Sequence, residues 1–178
     1  MLISIGKRGF KTKGDDPLIR VRGIANYQFE EDVGEALFPD ECEFEISKRS
    51  CRIRRIYLQG IILATIRAND GRIVLTMEGG KRLHKAIPSP RLRVVIPKEV
   101  AQFVTEGRSV FAKHVLQVDP KLRARDEVLV VDETDKLLAV GNAHLCPREM
   151  LDLSRGVAVR TRHHPSTKHT RLMTNNGK

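Results

Sequence analysis

Gly107-Arg108-Ser109 stands where a short helical pattern gives way to an alternating one. Glycine reaches backbone conformations that turn N–H groups toward an anion. Arginine forks onto a phosphate or stacks on a base. A plain helix cap would use the same glycine, and Arg108 beside it tips the reading toward nucleic acid. Lys113, Arg160 and Arg162 fall on expected strands and would line one groove, unless they form solvated outward faces. Phe111 is either core or a stacking platform. His114 shares parity with apolar neighbours, which points to a partly buried histidine rather than a reactive one. A second group, Lys48, Arg49, Arg52, Arg54 and Arg55, places five basic residues between positions 48 and 55 with no acid among them. It would extend a phosphate path, or form a solvated face balanced by acids at 30–45.

Catalytic chemistry finds little support. Asp119, Asp126, Asp132 and Glu133 have no histidine at useful spacing, and His163, His164 and His169 lie in a tail without core pattern. "EGGK" at 78–81 is too short for a phosphate cradle, and no Walker loop or GxGxxG occurs. Cys42, Cys51 and Cys146 form no CxxC, so a zinc ribbon is not expected. They read as buried small hydrophobes in a reducing compartment, with a Cys42–Cys51 pairing left open. The chain is expected to be no enzyme on its own, with no cofactor, no metal and no small-molecule substrate.

Composition agrees with a binding role. The 178 residues are 40% hydrophobic, carry a net charge of +10 and have a pI near 9.9. That balance favours an anionic partner, nucleic acid first and an anionic membrane second. Six Phe, two Tyr and no Trp exclude a broad aromatic platform. No segment resembles a signal peptide or a membrane helix, so a cytoplasmic protein without a membrane partner is expected. Residues 23–47 hold eight acids and no base. This acidic stretch would repel RNA and could dock a basic partner.

The elements that must carry these residues follow from periodicity. A helix is expected over 23–40, stopped by Phe38-Pro39-Asp40, with Gly34 as a weak point. Strands are expected at 43–47, 52–58, 61–67 and 72–76, with a bulge at Arg54-Arg55 where the parity slips. A helix follows at 76–87, and "PSPR" at 88–91 reads as a linker. Beyond it come strands at 92–96, 109–118, 128–133, 137–146 and 156–162. Two small helices are expected as well, one carrying Val100, Phe103 and Val104 and one at 147–154. Gly141 marks a bulge or a close approach. This density of short strands suggests a closed or nearly closed barrel.

The segments "GRSVFAKHV", "DEVLVVDE", "LLAVGNA" and "RGVAVRTR" resemble a PUA domain, the RNA-binding module of pseudouridine synthases and archaeosine transglycosylases. The preceding "RGIANYQFEEDVGEALFP" and "RIRRIYLQGIILATIRANDGRIVLTMEGGKRLHKAIPSPRLRVV" are similar to the domain just before PUA in archaeal tRNA-guanine transglycosylase. The resemblance implies an α+β chain: a small α/β domain at 20–88, then a PUA-type small β-barrel with short helices at 91–162. A basic arm at 1–19 and a basic, disordered tail at 163–178 would flank them. It also implies tRNA binding through Gly107, Arg108, Ser109, Phe111 and Lys113, then Arg155, Val157, Val159 and Arg160. The family's catalytic barrel, with its zinc site and nucleophilic aspartate, has no counterpart in these residues. The expected function is therefore a non-catalytic tRNA-binding protein, the detached C-terminal subunit of a split archaeosine transglycosylase, which holds the tRNA acceptor stem and 3′ end and acts in tRNA modification with a separate catalytic chain. The alternatives are an independent PUA protein working on ribosomal RNA or in translation, and a protein-interaction adaptor.

Overall fold

A computed structural model describes residues 16–166, and most of the basic arm expected at 1–19 and of the basic tail expected at 163–178 lies outside the described residues. The chain divides into two compact units, with the break between Val74 and Leu75.

The first unit opens with helix α1, Pro17–Gln28. The helix begins six residues before the position that the apolar stripe suggests. Asp16 caps it, accepting from Leu18 N–H at 2.9 Å, and Pro17 occupies its first position. Asp16-Pro17 is therefore a helix start, and residues 17–19 belong to the helix rather than to the expected arm. A second helix, α2 (Val33–Leu37), replaces the expected continuation. Gly34 is the reason the two helices can meet. A Cβ there would sit 2.6 Å from the Arg22 carbonyl oxygen, and Gly34 N–H donates to Asn26 Oδ1 at 2.6 Å.

Strands β1 (Glu43–Ile46), β2 (Ile53–Leu58), β3 (Ile61–Ile66) and β4 (Ile73–Leu75) form a meander in chain order. The Gln28 side chain brackets β4, donating to the Ile73 carbonyl and accepting from its N–H, both at 2.8 Å. Glu45 pairs with Arg55 and Ile46 with Ile53, so Arg54 is the extra residue of a bulge. The bulge turns two consecutive arginines, Arg54 and Arg55, to solvent. The cysteines are free, and none is the buried hydrophobe expected: Cys51 is exposed, and Cys42 and Cys146 are half-buried.

The second unit begins with α3, Met77–Ala86, capped by Thr76. It lies directly on strand β9 (Leu137–Ala143), where a Cβ on Gly80 would meet Val140 Cγ2 at 2.2 Å. By packing, this helix thus belongs with the second unit and not with the meander. The remaining elements are β5 (Arg93–Ile96), α4 (Lys98–Thr105), β6 (Val110–Phe111), β7 (Gln117–Val118), β8 (Glu127–Asp132), α5 (Pro147–Asp152) and β10 (Val157–His163).

The six strands run β6-β10-β9-β8-β5-β7, with β5 and β8 parallel. The outermost strands, β6 and β7, are neighbours in sequence, joined only by residues 112–116. Laid flat, six strands would put them about 24 Å apart, while six Cα steps reach about 22 Å only when fully extended. Residues 112–114 are a tight 3-10 turn, so the sheet has to curl into a half-barrel. The 109–118 segment is accordingly not one strand. Its alternation of apolar residues is the trace of a chain turning a corner, and Lys113 and His114 sit in that turn.

Buried Arg93 holds the linker and the sheet together. It is 2% exposed, and its guanidinium donates to the carbonyls of Arg91 (2.8 Å) and His84 (3.0 Å) and to Asp135 (3.1 Å). Among the described residues, no helix is long and apolar enough to cross a membrane.

Candidate nucleic-acid interface

Helix α4 ends in a glycine turn. Gly107 has φ +97°, its N–H donates to the Val104 carbonyl at 3.0 Å, and Arg108 N–H donates to the Phe103 carbonyl at 2.9 Å. This paired pattern closes a helix through a left-handed residue, and glycine adopts it without a Cβ clash. Gly107 is thus a helix cap in the first place.

The last strand holds this turn from behind. Thr161 Oγ1 donates to the Arg108 carbonyl at 2.9 Å, and His164 Nδ1 lies 2.8 Å from the Thr105 carbonyl. The imidazole rests on the bare face of Gly107, where a Cβ would come within 2.8 Å of Nε2. The α4–β6 turn and the end of β10 form one clamped body.

In front of the turn lies an apolar groove of about 300 Å³, lined by Val100, Phe103, Arg108, Ser109, Phe111 and His114 among others. Phe103 and Phe111 are 50% and 46% exposed, unusual for large rings in a chain with eight Phe and Tyr residues. The Arg108 guanidinium lies 5.8 Å from the centre of the Phe103 ring, a cation–π distance that keeps the charge at the groove's rim. Two half-exposed rings and one rim arginine offer a flat partner stacking surface and a positive charge together. Phe111 is therefore a surface residue and not a core one.

The other expected residues distribute unevenly. Phe111 pairs with Val157, which is half-buried on the same sheet face. Ala112 N–H donates to the Gly156 carbonyl at 3.0 Å, so exposed Lys113 and Arg155 flank one backbone bond beside the groove. Val159 is wholly buried and presents no side chain to a ligand. Arg160 is exposed but stands beside Asn142 on β10, one residue out of phase with Val157 and Val159. Arg162 turns toward the buried carboxylate of Glu127, 3.6 Å away. Lys113, Arg160 and Arg162 consequently do not line one groove.

Phe103 and His164 belong to the site although their patterns did not mark them. Phe103 sits in an i, i+3, i+4 apolar set that reads as core, and of that set only Val104 is buried. His164 follows a strand in a segment that reads as tail.

In the first unit, Lys48, Arg49, Arg52 and Arg54 are exposed on the β1–β2 turn and the bulge. Arg52 donates to the Ala68 carbonyl at 3.0 Å. Arg55 pairs with Glu45 at 2.8 Å, and Tyr57 donates to the same carboxylate at 3.0 Å. That hydrogen bond to Glu45 raises the arginine's pKa further still, so its charge is held against an internal partner. Burial, then the bond to Glu45, pushes the Tyr57 phenol upward as well.

Comparison with known proteins also divides the chain in two, but at residues 90–92, so that α3 falls in the first matched domain although it packs with the second unit. Residues 19–90 match the patch-forming domain C2 of tRNA-guanine transglycosylase, and residues 92–165 match the PUA domain. The tRNA-guanine(15) transglycosylase of Methanothermobacter thermautotrophicus is 47% identical over 147 residues, 83% of this chain and 22% of that protein. The Pyrococcus furiosus enzyme is 46% identical over 152 residues, 85% of this chain and 26% of that protein. The chain thus spans about a quarter of the length of these relatives. Among solved structures, a hypothetical protein from Pyrococcus horikoshii superposes with a TM-score of 0.67 at 20% identity, covering 85% of this chain and 91% of that one. A conserved PUA domain protein from Thermoplasma acidophilum gives 0.57 at 19% identity, covering 84% and 89%. These two show the fold. With both domains matched in the same order, the chain is a PUA-domain protein that resembles the C2-plus-PUA region of archaeal tRNA-guanine transglycosylases.

Proposed function

We propose that this chain is a non-catalytic tRNA-binding part of an archaeosine-type tRNA-guanine transglycosylase, and that it works with a separate catalytic chain. Its groove takes unpaired bases at the 3′ end of the tRNA. The observation that carries the reading is the pairing of Phe103 and Phe111 across an apolar groove with Arg108 at its rim. An exposed ring accepts the face of any base, and the arginine meets the phosphate that joins it to the next. Lys113 and Arg155 add charge at one side of the groove. Lys48, Arg49, Arg52 and Arg54 form a second contact of a different kind, a patch of charge without a slot.

The test is reconstitution. A catalytic transglycosylase chain lacking these two domains is assayed for base exchange on tRNA with this chain added or withheld. Stimulation that is lost with Phe111→Ala supports the reading. Activity indifferent to the added chain, with selective binding to ribosomal RNA, would favour the independent RNA-binding role instead.

A further inference from the structure

Helix α1 turns an apolar stripe to solvent that none of the contacts above uses. Ile19, Gly23 and Tyr27 follow one another at four-residue intervals, which puts them on one side of the helix. Val21 and Ala25, on the other side, are wholly buried. Tyr27 is 95% exposed and Ile19 68%, the two highest values among the large apolar side chains described. Gly23 lies between them. A Cβ there would meet nothing within 4 Å, so nothing among the described residues requires a glycine, in contrast with Gly34. A glycine in mid-helix costs stability relative to alanine. Its use at an open position leaves the backbone bare toward something from outside.

The stripe has an acidic border. Arg22 and Asn26 stand three residues from Ile19 and Gly23, hence beside them on the helix surface. Helix α2 packs along that edge, since Gly34 meets the Arg22 carbonyl and the Asn26 side chain. The connection into α2 and α2 itself expose Glu31, Asp32 and Glu35. Among the described residues, none of these three carboxylates is in a salt bridge. Asp40 and Glu45 are already engaged, by Arg22 and Arg55. Arg20 is exposed at the stripe's other edge. The cluster Lys48, Arg49, Arg52 and Arg54 belongs to a different element, the β1–β2 turn and bulge.

We infer that this α1–α2 face is the docking surface for the catalytic transglycosylase chain, and that the partner meets it with an apolar ridge bordered by lysine or arginine. The inference rests on the proposed function, which requires a separate catalytic chain. Charge selects a protein here rather than RNA, because three carboxylates without a salt bridge repel a phosphate backbone and attract basic side chains. Tyr27 is the anchor of the surface. A tyrosine brings a large contact area, and its hydroxyl finds a polar partner when the interface closes. Gly23 sets the geometry, since a helix without a side chain at the crossing point lets a second element approach closely. RNA and the partner chain thus use different elements of this protein.

The test measures association of this chain with the catalytic chain of the reconstitution, without RNA, by titration calorimetry at two salt concentrations. Gly23→Leu and Tyr27→Ala are each expected to weaken it about tenfold or more. Gly23→Leu separates docking from folding. Leucine has open space there and a higher helix propensity, so the urea midpoint of this variant matches or exceeds that of the wild type. Glu31→Gln with Asp32→Asn and Glu35→Gln removes most of the salt dependence of association. Affinity for tRNA is the same in Gly23→Leu as in the wild type. Association that survives both single variants overturns the docking face, and if base exchange is still stimulated the proposed function stands without it. A wild-type chain that neither binds the catalytic chain nor stimulates exchange overturns the proposed function, and the inference falls with it. A wild-type dimer that Gly23→Leu dissolves would make a second copy the occupant, and tRNA affinity lost in that variant would make the face an RNA contact. Either result overturns the inference.

Discussion

The groove beside Gly107 and the basic patch around Arg54 differ in what they are made of. The groove is mostly apolar, with two half-exposed rings and a single arginine at its rim. The patch is a turn and a bulge that push Lys48, Arg49, Arg52 and Arg54 outward. One has shape and little charge. The other has charge and little shape. Binding to the first depends on unstacked bases and responds weakly to salt, whereas binding to the second follows phosphate density and collapses as salt rises. The net charge of +10 reports only the second kind, so it gives no estimate of selectivity.

Four changes would break or sharpen this contrast. The largest effect is expected from Phe103→Ala with Phe111→Ala. Removing the rings costs about 1–3 kcal/mol for each stacked base and leaves the salt slope unchanged. Affinity for an unpaired 3′ strand, measured at two salt concentrations, checks both parts. Next is Gly107→Val. A β-branched side chain at φ +97° against His164 costs about 1–3 kcal/mol of stability and opens the clamp on the groove, read as a lower urea midpoint with lost strand selectivity. Third, replacing Lys48, Arg49, Arg52 and Arg54 together by Ala lowers the salt slope on whole tRNA by about 3. The preference for an intact 3′ end is unchanged. The smallest effect is expected from Arg55→Met, because Arg55 is committed to Glu45. RNA affinity holds, and stability shifts by about 0–1 kcal/mol, as for a solvent-exposed pair.

Stability also has a defined pH dependence. Burial opposes ionisation of Asp135, but the Arg93 hydrogen bonds outweigh it and the carboxyl titrates below its usual range. Asp132 behaves alike, with bonds from Thr134 and Lys136 overcoming burial. A carboxylate with a depressed folded pKa contributes stability above its unfolded value, near 4, and that contribution fades as pH falls through the folded value. Urea midpoints should therefore be level from neutral pH to about 5 and drop below about 4, and Asp135→Asn should flatten the drop.

Much of this architecture was readable from residue patterns. The continuous apolar runs of β8 and β9 mark strands buried on both faces, and the parity slip at Arg54-Arg55 marks the bulge. Other features were hidden for physical reasons. Asp16-Pro17 is both a turn signal and a helix start, and only packing decides between them. Residues 109–118 alternate like a strand, but a 3-10 turn of three residues is too short to imprint its own period. Phe103 carries the signature of a core residue because its side chain is apolar at helical spacing, whichever way that face points. The resemblance points to Val159 as an RNA contact through the family's last strand, and Arg162 is expected in a groove only from its place on a strand. The alternation of β10 sends one into the core and the bulge near Thr161 lets the other reach Glu127.

The most direct measurement of the central claim is a double comparison. Wild-type chain and Phe111→Ala are each titrated with mature tRNA and with the same tRNA lacking its unpaired 3′ nucleotides, at two salt concentrations. The account expects the wild type to prefer the intact tRNA, the variant to lose that preference, and both to keep the same salt slope. Equal binding of both RNAs by the wild type would contradict it, and so would a preference that survives removal of the ring.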